Sequence, residues 1–270
     1  MQIGIIAGNK NLPLLLAKRL SESKKFRKIV GVCFKGETSS KFCKYVDQCL
    51  WVEVGKLKDL SEAIKTQKVK DWVMVGQINP LNIFKEKKWD DELKKIVNEQ
   101  TNFCPHTIFQ LIISYLEAEG INFLDSTFYL ENDLAKNGLM NGFSLSDSTR
   151  ENIEFGLDKI SKFVEMDIGQ TLVVKNNAVV AVESLEGTDN TIKRGAKIAG
   201  LGITVLKFAK EAQDLRFDVP VVGIATLKLL KKVRAACLAL EKDKTIILDK
   251  EKFLDLSKKW KISVIGLTRR

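Results

Sequence analysis

The chain has 270 residues, 45% of them hydrophobic, and a formal net charge of +10. That length predicts two domains of about 130 residues each, and no apolar run approaches the ~20 residues of a membrane span. The positive charge is spread over both halves rather than gathered on one helix or tail, which argues against a nucleic-acid partner and suits anionic small substrates or an anionic membrane face.

The first element is a strand over Gln2–Ala7, a short apolar run with β-branched residues. It ends at Gly8-Asn9-Lys10-Asn11, and a helix follows over Leu12–Leu20 with Pro13 in its first turn, where the missing N–H costs nothing. Such a strand–turn–helix opening belongs to nucleotide-binding α/β domains, whose first helix can receive phosphate at its N-terminus. Only Gly8 stands where a dinucleotide fingerprint needs three glycines. Strands at Lys28–Phe34, Trp72–Gly76 and Ile121–Leu124 alternate with helices near Leu57–Lys65 and Thr107–Glu119, which predicts a parallel, helix-covered sheet. Because Met1-Gln2-Ile3-Gly4 leads straight into a strand, without a basic region and cleavage site, a cytoplasmic location is expected.

Between Phe128 and Asp147 the pattern loosens around Gly138, Gly142 and several Asn and Ser residues. The domains are therefore read as 1–132 and 147–270, with a linker at 133–146. In the second, Ser146-Asp147 caps a helix to about Val164. Two β-branched runs, Thr171–Val174 and Ala178–Val182, joined by Lys-Asn-Asn, then form a tight hairpin. Thr188 or Asp189 caps the next helix. Strands at Ile203–Phe208, Val219–Ile224, Thr245–Leu248 and Ile262–Leu267 follow, with helices at about Thr226–Leu240 and Glu251–Trp260. This half too is α/β.

The five cysteines (Cys33, Cys43, Cys49, Cys104, Cys237) show no CxxC pair and are expected as free thiols, several of them buried. A nucleophilic cysteine or a Ser-His-Asp triad would have to use the single histidine, His106, which follows Cys104-Pro105 at a helix start and reads as a local polar contact.

Acidic residues gather around two stretches: Glu183, Glu186 and Asp189 after the hairpin, and Asp214 and Asp218 further on. Phosphoryl transfer to water needs cations on the phosphate oxygens, a positioned water and an oriented leaving group. Mg²⁺ or Mn²⁺ on one or two carboxylates supplies the first. Lys207, Lys210 and Arg216 suit the remaining phosphate charge, and Thr188 with the following helix N-terminus makes a phosphate seat. Taken singly, Asp189 reads better as a helix cap, and Arg216 with Asp218 better as an exposed pair.

Three patterns carry a resemblance: IAG-x-x-x-LP at Ile6–Pro13, DIGQ…AVES-x-EGTD at Asp167–Asp189, and Lys207-x-x-Lys210-x-x-Gln213-Asp214-x-Arg216-x-Asp218-x-Pro220-x-x-Gly223-x-x-Thr226. Together they resemble the LpxI-type UDP-2,3-diacylglucosamine pyrophosphatases, over essentially the whole chain and most specifically over 167–226. The resemblance implies a Rossmann-like N-terminal domain, a second α/β domain, and Mg²⁺-dependent hydrolysis of UDP-2,3-diacylglucosamine to UMP and 2,3-diacylglucosamine 1-phosphate in lipid A biosynthesis. Asp218 inherits the role of the family's essential aspartate. Asp218 and Asp189 are the expected catalytic and metal-holding residues, and Gly8, Asn9, Gln170, Thr188, Lys207, Lys210, Gln213 and Arg216 the expected substrate contacts. Peripheral attachment to the inner-membrane surface is expected, and an oligomer is compatible with the family.

Departures from the family pattern are Asn9-Lys10-Asn11 in a turn usually richer in glycine, Gly76-Gln77-Ile78-Asn79-Pro80 after the third predicted strand, and Cys104-Pro105-His106 where acidic residues are frequent. Two rival readings stay open: a nucleotide-sugar or dinucleotide-dependent enzyme, against which stands the lack of an acidic ribose partner at Phe34-Lys35-Gly36, and a non-catalytic nucleotide- or lipid-binding protein.

Overall fold

In the computed structural model, residues 1–79, 82, 86–98, 105–211 and 213–270 are described. Pro80 and Cys104 lie outside them. The chain divides into two units. The first is Met1–Tyr129 together with the short segment Leu215–Asp218; the second is Leu130–Asp214 with Val219–Arg270.

In the first unit, β1 (Gln2–Ala7), β2 (Lys28–Phe34), β3 (Gln48–Val52), β4 (Asp71–Val75) and β5 (Asn122–Leu124) form one parallel sheet in the order β3-β2-β1-β4-β5. The helices are α1 (Leu12–Ser23), α2 (Leu57–Lys65), α3 (Asp91–Asn98) and α4 (Pro105–Ala118). β1, β2 and β4 read as nearly continuous apolar runs because helices bury them on both faces, the rule for parallel sheets. On one face Ile6, Val32, Trp72 and Met74 meet Leu57, Leu60, Ile64, Leu93 and Leu116. The α/β class and the parallel first sheet are as expected. Absent from the sequence reading are β3, a half-buried edge strand, and α3, whose buried residues are only Leu93 and Val97.

The five cysteines are not all free thiols. Cys43 and Cys49 form a disulfide, because the 3₁₀ turn Ser40–Lys44 folds back over β3 and brings their Cα atoms to 5.9 Å, within bridging range. Cys33 and Cys237 are free and buried.

The second unit contains β6 (Gly138–Leu139), α5 (Asp147–Glu165), β7 (Thr171–Lys175), β8 (Ala178–Val182), α6 (Thr188–Ala199), β9 (Thr204–Lys207), β10 (Val221–Val222), α7 (Ile224–Lys232), β11 (Cys237–Glu241), β12 (Ile246–Ile247), α8 (Lys250–Lys259) and β13 (Ser263–Leu267). Its main sheet runs β6-β13-β11-β9-β7-β8: β9, β11 and β13 are parallel, and the rest pair antiparallel. β10 and β12 form a separate parallel pair. Ser146 caps α5 by accepting from the Thr149 N–H. The hairpin turns on Asn176 and Asn177, both at positive φ (49° and 55°), the backbone a two-residue turn demands and asparagine tolerates.

The predicted helix Thr226–Leu240 is two elements, not one. α7 stops at Lys232, and Cys237–Glu241 is the centre strand β11, buried along its whole length. Ala and Leu favour a helix locally, but a strand flanked by β9 and β13 buries all its side chains, and tertiary burial overrides that preference. Residues 133–146 hold β6, which pairs with β13, and Asn141, whose carboxamide donates to Ser257 Oγ at 2.8 Å and Ile262 O at 2.7 Å.

Candidate functional site

In the first unit the strand order reverses between β1 and β4, and their carboxyl ends carry the turn of interest. In doubly wound sheets ligands bind at such a switch point. The Gly8 N–H donates to Val75 O at 2.9 Å and the Asn9 N–H to Gln77 O at 2.6 Å. The contact is close enough to require glycine: a Cβ at Gly8 would sit 2.4 Å from Gln77 O, and Gly76, at φ +94°, approaches Asn9 O. Asn9 also donates through Nδ2 to Glu37 at 2.5 Å, while its Oδ1 is buried without a partner among the described residues. Both backbone amides being committed, an anion here would meet the first turn of α1, whose N-cap Asn11 makes no side-chain cap. Glu37 is an acid just past β2 that the sequence reading missed. Both its oxygens already accept hydrogen bonds within this turn, one from Asn9 and one from Asn82 Nδ2 at 2.6 Å.

Beside this turn opens an almost wholly apolar cleft. Ile6, Gly8, Met74, Gly76, Trp89 and Ile108 are among the residues lining it, and Phe217 contributes a ring. Phe217 stacks at 5.8 Å on Phe109, and buried apolar faces of this kind accept hydrocarbon. The segment Leu215–Asp218 is held at the carboxyl ends of β4 and β5. Buried Ser126 takes its N–H to Leu215 O at 2.9 Å, and its hydroxyl reaches Met74 O at 2.8 Å and Arg216 O at 2.9 Å. Arg216 itself pairs with Glu117 at 2.6 Å. Asp218, next in the chain after the cleft-lining phenylalanine, is half-buried and has no hydrogen-bond or ion-pair partner among the described residues.

In the second unit the hub is Thr188, the first residue of α6. The N-cap of that helix is Gly187 rather than Thr188 or Asp189. The Thr188 hydroxyl accepts from Lys207 Nζ at 2.7 Å and from the Thr171 hydroxyl at 3.3 Å, and donates to Glu183 Oε1 at 3.0 Å. Strand register explains the meeting: Thr171 pairs with Lys207 across β7 and β9, and the Glu183 N–H donates to Thr171 O. Lys207 and Glu183 are buried, and Glu183 Oε2, Gln170 Oε1 and Gln213 Nε2 have no partner among the described residues. Buried polar atoms left unpaired in one region mark a place prepared for a polar ligand. Lys210 pairs with Asp167 at 3.0 Å, and its N–H donates to Gln213 Oε1. Glu186 faces Arg194 at 2.5 Å, and that hydrogen bond holds its carboxyl below the usual range. Asp189 is exposed and has no partner among the described residues.

Of the expected site residues, the fold gathers Thr188 and Lys207 at one end of the second sheet, with Gln170 beside Thr171 and Lys207. It adds Thr171 and Glu183, the former signalled only by its place after Gln170. Gly8 and Asn9 lie on the first unit's switch point, and Arg216 and Asp218 belong to the same unit.

Residues 2–132 match the family model described as the LpxI N-terminal domain, and residues 136–265 the one described as the LpxI C-terminal domain. A UDP-2,3-diacylglucosamine pyrophosphatase LpxI from Caulobacter vibrioides is 24% identical over 169 residues. The alignment takes in 59% of this chain and 60% of that protein, so the chain spans about three-fifths of the relative's length.

Proposed function

The chain belongs to the LpxI family through both of its domains, and on that premise we propose that it hydrolyses the pyrophosphate of UDP-2,3-diacylglucosamine, releasing UMP and 2,3-diacylglucosamine 1-phosphate. The observation that carries this reading is the apolar cleft lined in part by Phe217, one residue before a carboxylate with no partner among the described residues. A diacylated substrate needs an apolar surface, and hydrolysis of its diphosphate needs a nearby carboxylate to hold a cation or position a water.

The residues present fit a hard divalent cation, because Asp218 in the first unit is a carboxylate whose oxygens are unclaimed among the described residues; Asp189, in the second unit, is a separate carboxylate of the same kind. Bound there, Mg²⁺ or Mn²⁺ would neutralise charge on the phosphate oxygens. Asp218 would hold that cation or orient the attacking water. Lys207, buried and already aligned by Thr188, offers an ammonium to phosphate oxygen. The unpaired Gln170 Oε1 and Gln213 Nε2 supply one acceptor and one donor for the polar part of the substrate. Among the described residues no helix is long and apolar enough to cross a membrane. A basic surface reaching a lipid product at the inner membrane from the cytoplasmic side completes the reading.

Incubation with UDP-2,3-diacylglucosamine in H₂¹⁸O, with and without Mg²⁺, tests it. UMP release with ¹⁸O on one product phosphate is expected. An absence of UMP under both conditions, with NAD(P)H binding tightly instead, would hand the assignment to a dinucleotide-dependent enzyme. Shortening the wall of the cleft gives a second check. Phe217→Ala is expected to raise KM for the diacylated substrate about 10-fold, in line with the ~1–2 kcal/mol that part of a buried aromatic side chain contributes. An unchanged KM would take the acyl chains out of this cleft.

A further inference from the structure

We propose that Cys33, Cys43 and Cys49 form a thiolate site for one thiophilic metal ion of the Zn²⁺ class, closed when Cys43 and Cys49 are joined as a disulfide and opened when they are reduced. Their three sulfur atoms lie within 4.8 Å of one another, and among the described residues no other group of three or more His, Cys, Asp or Glu side chains converges this closely. A tetrahedral site with Zn–S bonds of about 2.3 Å sets its sulfurs about 3.8 Å apart. The three sulfurs therefore already converge to about that scale, and an ion is admitted when reduction lets the bonded Cys43 and Cys49 sulfurs move apart.

The convergence follows from the sheet. Cys33 and Gly31 are two apart on β2 and share a face, and Cys49 is the register partner of Gly31 on β3, so all three project the same way. A Cβ on Gly31 would sit 2.4 Å from the Phe42 ring. Only a glycine lets the 3₁₀ turn Ser40–Lys44 drop onto the sheet there, which lowers Cys43 over Cys49 and beside Cys33. Cys43 and Cys49 are half-buried, leaving an entry path, whereas Cys33 is the enclosed member. Burial pushes its thiol up to about 12, so without a cation it stays protonated and inert.

The chemistry balances simply. A dithiol reductant gives two electrons and two protons to the Cys43–Cys49 bond and is itself oxidised to a disulfide. Three thiols then release three protons as they take one M²⁺, with water in the fourth position.

The test uses the full chain, reduced and then freed of reductant under argon, titrated with Co²⁺ and then Zn²⁺. The expected result is thiolate-to-cobalt charge-transfer absorption that saturates at one equivalent and is bleached by Zn²⁺. The disulfide form should show none, nor should the Cys33→Ala/Cys43→Ala/Cys49→Ala protein, which keeps Cys104 and Cys237. Single replacements, checked for fold by circular dichroism, should each weaken Zn²⁺ binding at least 100-fold. A reduced wild type with no charge-transfer band overturns the proposal. So does equal metal uptake by the triple variant, or by Cys43→Ala alone.

Discussion

Replacing Asp218 by alanine is expected to lower UMP release by at least about 1,000-fold, about 4 kcal/mol of barrier, while the melting midpoint stays within about 2 °C of wild type. The two halves of that expectation have separate causes. The carboxylate engages no other described residue, so its removal breaks no hydrogen bond or ion pair among them. Its neighbours keep the segment in place without it: Ser126 holds the backbone of Leu215 and Arg216, Arg216 pairs with Glu117, and Phe217 stacks on Phe109. Asp218→Asn should be as inactive as the alanine, because an amide neither holds a divalent cation well nor accepts a proton. Turnover of either variant within about tenfold of wild type, measured as UMP release at saturating substrate, would remove Asp218 from the chemistry.

The second large effect is expected at a glycine with no chemistry of its own. A methyl group on Gly169 would lie 2.2 Å from the carbonyl oxygen of Glu183, a backbone atom that cannot rotate aside. Gly169→Ala must therefore push the strand start carrying Gln170 and Thr171 away from the end of β8. We expect a loss of about 3 kcal/mol, the upper range for overpacking, and a fall in melting midpoint of roughly 6–12 °C for a unit of this size. Activity should fall with it even below the new midpoint, because Thr171 pairs with Lys207 and meets Thr188. A variant as stable as wild type would mean that this contact relaxes freely and that the hub does not depend on it.

How much of this was legible in the sequence depends on the range of the interaction that decides each feature. The hairpin was readable because two asparagines at positive φ are a local requirement of a two-residue turn. β1, α1 and β2 were readable because their apolar patterns are local as well. β11 was not. Its Ala-Leu composition suits a helix, and only pairing with β9 and β13, set by residues far away in the chain, makes it a strand. Nor did spacing reveal the disulfide, since the closeness of Cys43 and Cys49 depends on a glycine in another strand admitting Phe42. For the candidate site, the motif around Asp218 singled out the carboxylate by resemblance alone. That its segment packs with the first unit, next to an apolar cleft, is a tertiary fact no local pattern encodes. Glu183 stood out as one acid among several, and its burial beside Thr188 is what sets it apart.

Because Leu215–Asp218 completes the first unit, that unit cannot finish folding when Tyr129 leaves the ribosome. The missing piece emerges roughly 90 residues later, a delay of about 5–20 s at ordinary elongation rates. Throughout that interval the nascent chain carries a half-built hydrocarbon slot without Phe217, along with a Glu117 still awaiting Arg216. A ribosome stalled between residues 130 and 214 should accordingly display a protease-sensitive, chaperone-binding first half that becomes resistant only once Asp218 has cleared the exit tunnel.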